Sequence, residues 1–241
     1  MNSTQRPLLA AQPVREEGEK AVRPRDAATI IIWRKIRRRV EVLMGERHKS
    51  HRFLPHRYVF PGGAVDPQDS RIRVASKLSP AVACQLARTV RKGRAKSIAI
   101  AAIRETFEET GLIIGAQDPA PGRPIHPDWE HFFDAGYAPA LGQLEYIARA
   151  ITPVFRPIRF DARFFMVRSD EVIGKLEGSG ELENLDWISI DDTQNFELAN
   201  VTRKVLAYTE VLIKNPVHQT ARRKIPYFKH LSNGGHLIVM Q

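Results

Sequence analysis

The stretch RETFEETG, residues 104–111, contains three glutamates within five consecutive positions. On a helix, successive residues turn by about 100°, so Glu105, Glu108 and Glu109 share one face. Like charges at this spacing repel each other, and two of them lie near a helix C-terminus, where the dipole disfavours anions. A divalent cation would relieve this repulsion, because Mg²⁺ prefers carboxylate and phosphate oxygens as ligands. A solvated acidic face is the alternative interpretation.

The segment around these glutamates has the pattern of an amphipathic helix packed on a core. Ile100, Ile103 and Phe107 project from the side opposite the acids. We expect Ser97 to cap the start of this helix and Gly111 to end it in a left-handed conformation.

Length and composition indicate one substantial domain and exclude a disordered chain. The chain has 241 residues, of which 43% are hydrophobic. Its one cysteine, Cys84, excludes an internal disulfide and suits a reducing compartment, so we expect a cytoplasmic location. We find neither a signal peptide nor an apolar stretch long enough to span a bilayer, and therefore expect no membrane partner. The net charge of +10 predicts an anionic ligand or partner.

Hydrophobic periodicity predicts a mixed α/β sandwich. The predicted elements are a hairpin of strands at 27–36 and 40–46, a helix at 78–93, the acidic helix, a short strand GLIIG, a helix at 138–150, strands at 159–167 and 185–190, and a helix at 197–214. We expect a flexible N-terminal arm at 1–26, a domain at 27–214, and a basic C-terminal tail at 215–241 that packs on the domain and adds an edge strand.

The glycine loop FPGG, which ends at Gly63, and the later stretch RETFEETGL together resemble the signature of Nudix hydrolases. That signature reads glycine, five residues, glutamate, seven residues, then Arg-Glu-apolar-any-Glu-Glu-any-Gly-apolar. Asp69 stands where the family has glutamate, and Thr106 where an aliphatic residue is usual. Here 34 residues separate Asp69 from Arg104, so the sequence predicts a basic insertion of 27 residues at 70–96. Such a split motif, together with RFDARFF at 159–165, is similar to a branch that includes mammalian peroxisomal coenzyme A diphosphatases.

The resemblance implies a Nudix-like α/β/α sandwich with a mixed sheet, to which the insertion adds a helix. It also implies that the Gly63 carbonyl and the three glutamates of the acidic face hold Mg²⁺ or Mn²⁺, and that Arg104 orients one of the carboxylates. A further glutamate is expected in the loop before Trp187, where Glu181 is favoured over Glu183. Glu105 and Glu181 remain rival candidates for the general base.

The implied function is metal-dependent hydrolysis of the diphosphate linkage of a nucleoside diphosphate derivative, with coenzyme A or acyl-coenzyme A as the leading substrates. Alternatives are ADP-ribose, NADH or a dinucleoside polyphosphate, or a non-catalytic regulator that binds a nucleotide or nucleic acid. The nearly complete motif argues against nucleic acid as the partner. We expect Arg88, Arg91 and Lys92 of the insertion to bind substrate phosphates, although a solvated helix end is the alternative. A homodimer is a further hypothesis.

Overall fold

A computed structural model describes residues 14, 20–51, 53–91, 93–118, 126–216, 220–230 and 236–241. The strands are β1 (Arg25–Ile36), β2 (Arg39–Arg47), β3 (Tyr58–Val59), β4 (Gly62–Ala64), β5 (Gly115–Gln117), β6 (Tyr137–Pro139), β7 (Glu145–Ile151), β8 (Phe160–Arg168), β9 (Leu182–Ser189), β10 (Pro226–His230) and β11 (His236–Met240). The α-helices are α1 (Pro80–Ala87), α2 (Arg94–Thr110), α3 (Glu130–Asp134) and α4 (Asn200–Lys214).

Within these described residues, nine strands form one mixed sheet. Its order is β11-β10-β7-β8-β1-β2-β3, while β4 also pairs with β1 and β9 with β2. The pairs β1–β8 and β7–β10 are parallel, and the other pairs are antiparallel. The short strands β5 and β6 pair separately.

The central strand β1 is buried on both faces of the sheet. Ile30 and Ile32 pack in the core that contains α2, whereas Ile31 packs in the core that contains α4. Because side chains alternate along a strand, this isoleucine run supplies both layers at once. The result is the predicted α/β/α sandwich with a mixed sheet.

Most of the predicted elements are present, but the structure differs from the expectations at several points. The short strand expected at 111–115 is replaced by β5, which begins at Gly115. Strand β1 begins at Arg25, inside the expected arm at 1–26, most of which lies outside the described residues.

The segment predicted as a helix at 138–150 contains strand β7, because its residues pair with β8 and β10 and this tertiary pairing overrides helix propensity. Helix α2 begins at Arg94, after Gly93 with φ 81°, so Ser97 lies inside the helix and does not cap it. Gly111 ends the helix as expected, with φ 72°.

The segment after the glycine loop and the C-terminal tail both pack on the domain. In the predicted insertion, α1 covers only the first half of the expected helix and ends at Ala87. In the tail, β10 adds to the sheet beside β7, and β11 adds beyond it. None of the described helices is both long enough and apolar enough to cross a membrane.

Candidate active site

The glycine loop lies against the C-terminal half of α2. The backbone N–H of Gly62 donates to Oε2 of Glu109, with 2.8 Å between nitrogen and oxygen. Gly62 has φ 152°, and a Cβ there would overlap the backbone of Ala28 and Thr29 in β1. Only glycine fits this approach, because it lacks a side chain and tolerates positive φ.

The next glycine leaves space for the carboxyl group of Glu105. A Cβ on Gly63 would overlap the carboxyl group of Glu105, which occupies the space where an alanine methyl would project. The glycine of the motif and the first glutamate of the acidic face therefore meet directly, although 42 positions separate them.

Arg104 joins the loop to the acidic face and is itself buried. Its Nε lies 3.1 Å from Oδ1 of Asp69, and its Nη2 lies 3.0 Å from the carbonyl oxygen of Ala64. Its Nη1 lies 3.0 Å from Oε1 of Glu105 and 3.1 Å from Oε2 of Glu108. One guanidinium thus contacts three carboxylates, which is the orienting contact expected of this arginine.

Asp69 fixes the point at which the predicted insertion leaves the loop. Its Oδ2 accepts the backbone N–H of Asp66 at 2.8 Å, which caps the short 3₁₀ turn Pro67–Arg71. Burial raises the pKa of Asp69, although its hydrogen bonds to Arg104 oppose that effect. Because Asp69 and Arg104 are in contact, the chain leaves and returns at nearly the same place.

Burial also raises the pKa of all three glutamates on the acidic face. The pKa of Glu105 is raised although Arg104 opposes the shift, and the pKa of Glu108 is raised to about 7. Burial raises the pKa of Glu109 to about 8, even though the Gly62 N–H and the charge of Arg47 favour its ionised form. When ionised, the four carboxyl groups of Asp69, Glu105, Glu108 and Glu109 carry more negative charge than Arg104 and Arg47 neutralise.

This surplus of negative charge and the type of ligand atom suit a divalent cation. The available atoms are carboxylate and carbonyl oxygens, which Mg²⁺ and Mn²⁺ favour. In the described part of the chain, no three acidic, histidine or cysteine side chains already form a metal-binding group. The positive charge between Glu105 and Glu108 is instead that of Arg104. The residues fit the ion by their chemistry.

Glu181 lies beside this site, in the loop before β9. It lines the same cleft as Gly63 and Glu105, and its charge contributes to the raised pKa of both Glu105 and Glu109. Glu183, the alternative, is not among the residues that line the cleft, and its Oε1 lies 3.7 Å from Nε2 of His48. This placement favours Glu181.

The family model of the NUDIX domain matches residues 23–209, more than half of the chain. The chain belongs to the Nudix family. It is 28% identical over 174 residues to "Putative nudix hydrolase 7" of Caenorhabditis elegans, a match that covers 68% of this chain and 51% of that protein. The chain thus spans about half the length of this curated relative. A solved NUDIX hydrolase from Alicyclobacillus acidocaldarius is 27% identical, with a TM-score of 0.59, covering 80% of this chain and 96% of that one.

Gly63, Glu105 and Glu181 line a cleft of about 690 Å³ that the sequence did not predict. Phe53 and Phe160, whose ring centres are 5.1 Å apart, stand on its wall. Other phenylalanines and arginines lining it are Phe60, Phe155, Phe164, Phe228, Arg47, Arg57 and Arg156. They come from separate loops and strands, so no local pattern joins them. The basic stretch 34–57, which supplies Arg47 and Arg57, was the available signal.

The arginines predicted to bind substrate lie elsewhere on this Nudix domain. Arg88 donates to the carbonyl oxygens of Ala221, Arg223 and Gln241, and so holds the C-terminal tail. Neither Arg88 nor the exposed Arg91 lines the cleft, and Lys92 lies outside the described residues. The predicted phosphate clamp therefore gains no support from this cleft.

Proposed function

We propose that this Nudix protein is a metal-dependent hydrolase that cleaves the diphosphate linkage of a nucleoside diphosphate derivative. The observation that carries the proposal is Arg104, which joins the acidic face of α2 to the glycine loop beside a cleft lined by Gly63 and Glu105. The similar Nudix hydrolases from Caenorhabditis elegans and Alicyclobacillus acidocaldarius support the same reaction class.

Four groups would hold the metal ion, Mg²⁺ or Mn²⁺. They are the Gly63 carbonyl oxygen and the carboxylates of Glu105, Glu108 and Glu109. A divalent cation bound there neutralises phosphate oxygens and makes a bound water more acidic. Family membership favours metal dependence, and the choice between the two ions is part of the experiment below.

The remaining tasks fall to the side chains of the chain itself. Arg104 keeps Glu105 and Glu108 in fixed orientations, because its planar guanidinium donates to both. Glu105 and Glu181 both border the cleft and are the two candidates to accept a proton from the attacking water.

The shape of the cleft supports a substrate with a large apolar or aromatic group beyond its diphosphate. Glu105 and Glu181 supply polar groups to the cleft, and six phenylalanines supply aromatic surface. Arg47 borders the cleft, close enough to Glu109 for its charge to oppose the rise in that residue's pKa, and is placed to attract phosphate oxygens. Coenzyme A and acyl-coenzyme A have this combination and are the first substrates to test. ADP-ribose, NADH and dinucleoside polyphosphates are the alternatives.

The test is product analysis by mass spectrometry over this panel, with Mg²⁺ or Mn²⁺ and with a chelator. We expect one substrate to yield two phosphate-bearing products, and Glu105→Gln to lower the rate by at least about 100-fold. Glu183→Gln is the matched control, because Glu183 is a nearby glutamate that does not line the cleft. Full activity of Glu105→Gln would contradict the site assignment.

The competing function is a regulator that binds a nucleotide without cleaving it. In that case the same panel would give tight binding, unchanged by Glu105→Gln, and no product from any diphosphate. Salt-dependent binding of RNA or DNA without hydrolysis would likewise favour a regulator over an enzyme.

A further inference from the structure

The last described strand exposes a run of four apolar side chains. Leu237, Ile238, Val239 and Met240 of β11 are between 39% and 52% exposed. Within the described residues β11 is an edge strand, paired only with β10. Exposed apolar residues that occur singly are ordinary. Here Leu237 and Val239 project from one face of β11 and Ile238 and Met240 from the other, so both faces of this edge strand are apolar and suit an apolar environment.

Cations without neighbouring acids surround this strand. Arg222, Lys224 and Lys229 are exposed, and the tail at 215–241 contains no aspartate or glutamate. The segment 70–96, which includes Arg88, contains none either. Among the described residues, no carboxylate forms an ion pair with Arg222, Lys224 or Lys229. The positive charge of these three residues is therefore available to an external anion, whereas Arg88 is engaged by main-chain oxygens of the tail.

The ladder between β10 and β11 sets the cations and the apolar residues side by side. Lys229 is paired with Leu237, and Tyr227 with Val239. Paired residues of an antiparallel ladder project from the same face, so Lys229 stands beside Leu237 and Val239. At the other end, Gln241 exchanges backbone hydrogen bonds with Ile225, which follows the basic segment 222–224.

Arg88 fixes this arrangement from the other side. Its guanidinium donates to the carbonyl oxygens of Ala221, Arg223 and Gln241, on both sides of β10 and β11. Gln85 adds a hydrogen bond from Nε2 to the carbonyl oxygen of Thr220, at 2.8 Å. The predicted insertion therefore holds the tail in place.

We propose that this tail surface, formed by Arg222, Lys224, Lys229 and Leu237–Met240, docks on an anionic lipid surface. Lysine and arginine side chains are attracted to anionic headgroups, while apolar side chains enter the interface between headgroups and acyl chains. The expectation of no membrane partner rested on the absence of a spanning segment, and surface docking needs none.

Two other occupants fit the surface less well. Nucleic acid would bind the cations but would leave four apolar side chains facing phosphates. A second copy paired through β11 would place Lys229 and Lys224 near the same cations of its partner, and like charges across an interface disfavour association.

The test is cosedimentation of the full chain with vesicles. We expect binding to phosphatidylcholine vesicles that contain phosphatidylserine, weakening as salt is added, and little binding to phosphatidylcholine alone. Arg222→Gln with Lys224→Gln should weaken binding roughly 10- to 30-fold, since each cation contributes about fivefold. Leu237→Ser with Val239→Ser should weaken it roughly tenfold or more.

Matched controls carry the same changes elsewhere. Lys35→Gln with Arg38→Gln removes two exposed cations from the β1–β2 hairpin, whose strand β1 lies four strand spacings, about 19 Å, from β11. Ile36→Ser with Val211→Ser removes two exposed apolar side chains. Both controls should bind vesicles as the unmodified chain does.

Several outcomes would overturn the proposal. The first is equal binding to vesicles with and without phosphatidylserine, and the second is binding to neither. The third is a loss of vesicle binding in the control variants as large as in the tail variants. Tighter binding to RNA or DNA, lost with Arg222→Gln and Lys224→Gln, would assign the surface to nucleic acid. A dimer in sedimentation analysis that Leu237→Ser with Val239→Ser dissociates would assign it to a second copy.

Discussion

Arg104 determines the geometry of the candidate site at the scale of single residues. Its guanidinium contacts Asp69, Glu105 and Glu108, and also reaches the backbone of the glycine loop. A planar group with five N–H donors can hold several acceptors in fixed directions, which an ammonium group cannot do. The orientation of the carboxylates thus depends on the shape of this side chain as well as on its charge.

Arg104→Lys should keep the positive charge at this position and remove the planar guanidinium. We expect the rate of diphosphate hydrolysis to fall about 10- to 100-fold, the range typical for residues that orient metal ligands, with a lower melting temperature. The measurements are kcat/KM and thermal unfolding. Arg168→Lys, in an exposed pair with Asp170, is the control and should change neither. Unchanged activity of the Arg104→Lys variant would show that the planar guanidinium is dispensable.

Asp26 provides a second prediction, which concerns pH. Its oxygens lie 2.8 Å from Nε of Arg94 and 2.9 Å from Nη1 of the fully buried Arg163. Burial by itself would raise the pKa of Asp26, but these two arginines hold it below its usual value. A lowered folded-state pKa means that the stabilisation is complete above the unfolded pKa, near 3.8, and is lost as the pH falls through the folded value.

Asp26→Asn should therefore destabilise the protein at neutral pH and reduce the loss of stability in acid. We expect a decrease of about 3 kcal/mol in the free energy of unfolding at pH 7, because Arg163 stays buried with one partner fewer. The measurement is urea unfolding at pH 7 and at pH 3, with the exposed Asp170→Asn as control. An equal decrease at both pH values would contradict the assigned cause.

At the scale of elements, the site is a contact between a strand–loop unit and a helix. Strand β4 pairs with β1, and the last half of α2 packs against the loop that leads into β4. The two halves of the motif come together only because α2 and β4 both rest on β1. Asp69, just before the predicted insertion, and Arg104, in the helix that follows it, form an ion pair. The insertion therefore does not disturb the packing of α2 on the glycine loop.

Gly63→Ala tests this contact. The added methyl group would collide with the Glu105 carboxyl group, so we expect at least about a tenfold loss of activity with a small change in melting temperature. Gly142→Ala is the control, because the nearest atom to its new methyl would be Oγ of Ser76 at 3.1 Å, outside the site. Unchanged activity in Gly63→Ala would mean that Glu105 works from another position.

The sequence predicted the elements that have a local pattern and missed those that depend on distant neighbours. The strand that became β8 and the helix that became α4 have strong periodicity, and both are present. The segment of β7 contains good helix formers, and only its position between β8 and β10 makes it a strand. The three glutamates were found because they are close together in sequence, whereas the phenylalanines of the cleft come from widely separated segments.

At the scale of the whole molecule, the cleft and the core around α2 lie on opposite faces of β1. Ala28 and Ile30 of β1 face α2, while the cleft opens where β1, β7 and β8 meet the start of α4. Glu105 of α2 lines the cleft together with Gly62 and Gly63 of β4. The size of the cleft therefore depends on how the whole sheet is assembled.

Phe53→Ala tests the wall of the cleft. Phe53 packs edge-on against Phe160 in the wall of the cleft. Its loss should therefore weaken substrate binding, which raises KM for the best substrate about tenfold and leaves kcat nearly unchanged. Phe196→Ala is the control, because Phe196 forms a similar ring pair with Tyr58 and does not line the cleft. A fall in kcat alone would place Phe53 nearer the reacting bond than we infer.

The parallel pairing of β1 with β8 also has a consequence during biosynthesis. Asp26 and its partner Arg163 are 137 positions apart, so a ribosome adding about 5 to 20 residues per second makes β8 on the order of ten seconds after β1. In that interval β1 can pair with β2 but lacks β8 on its other side. An unpaired edge of this kind promotes aggregation. Yield in a host cell should therefore respond to chaperones that shield nascent chains, and slower translation should lower it when they are scarce.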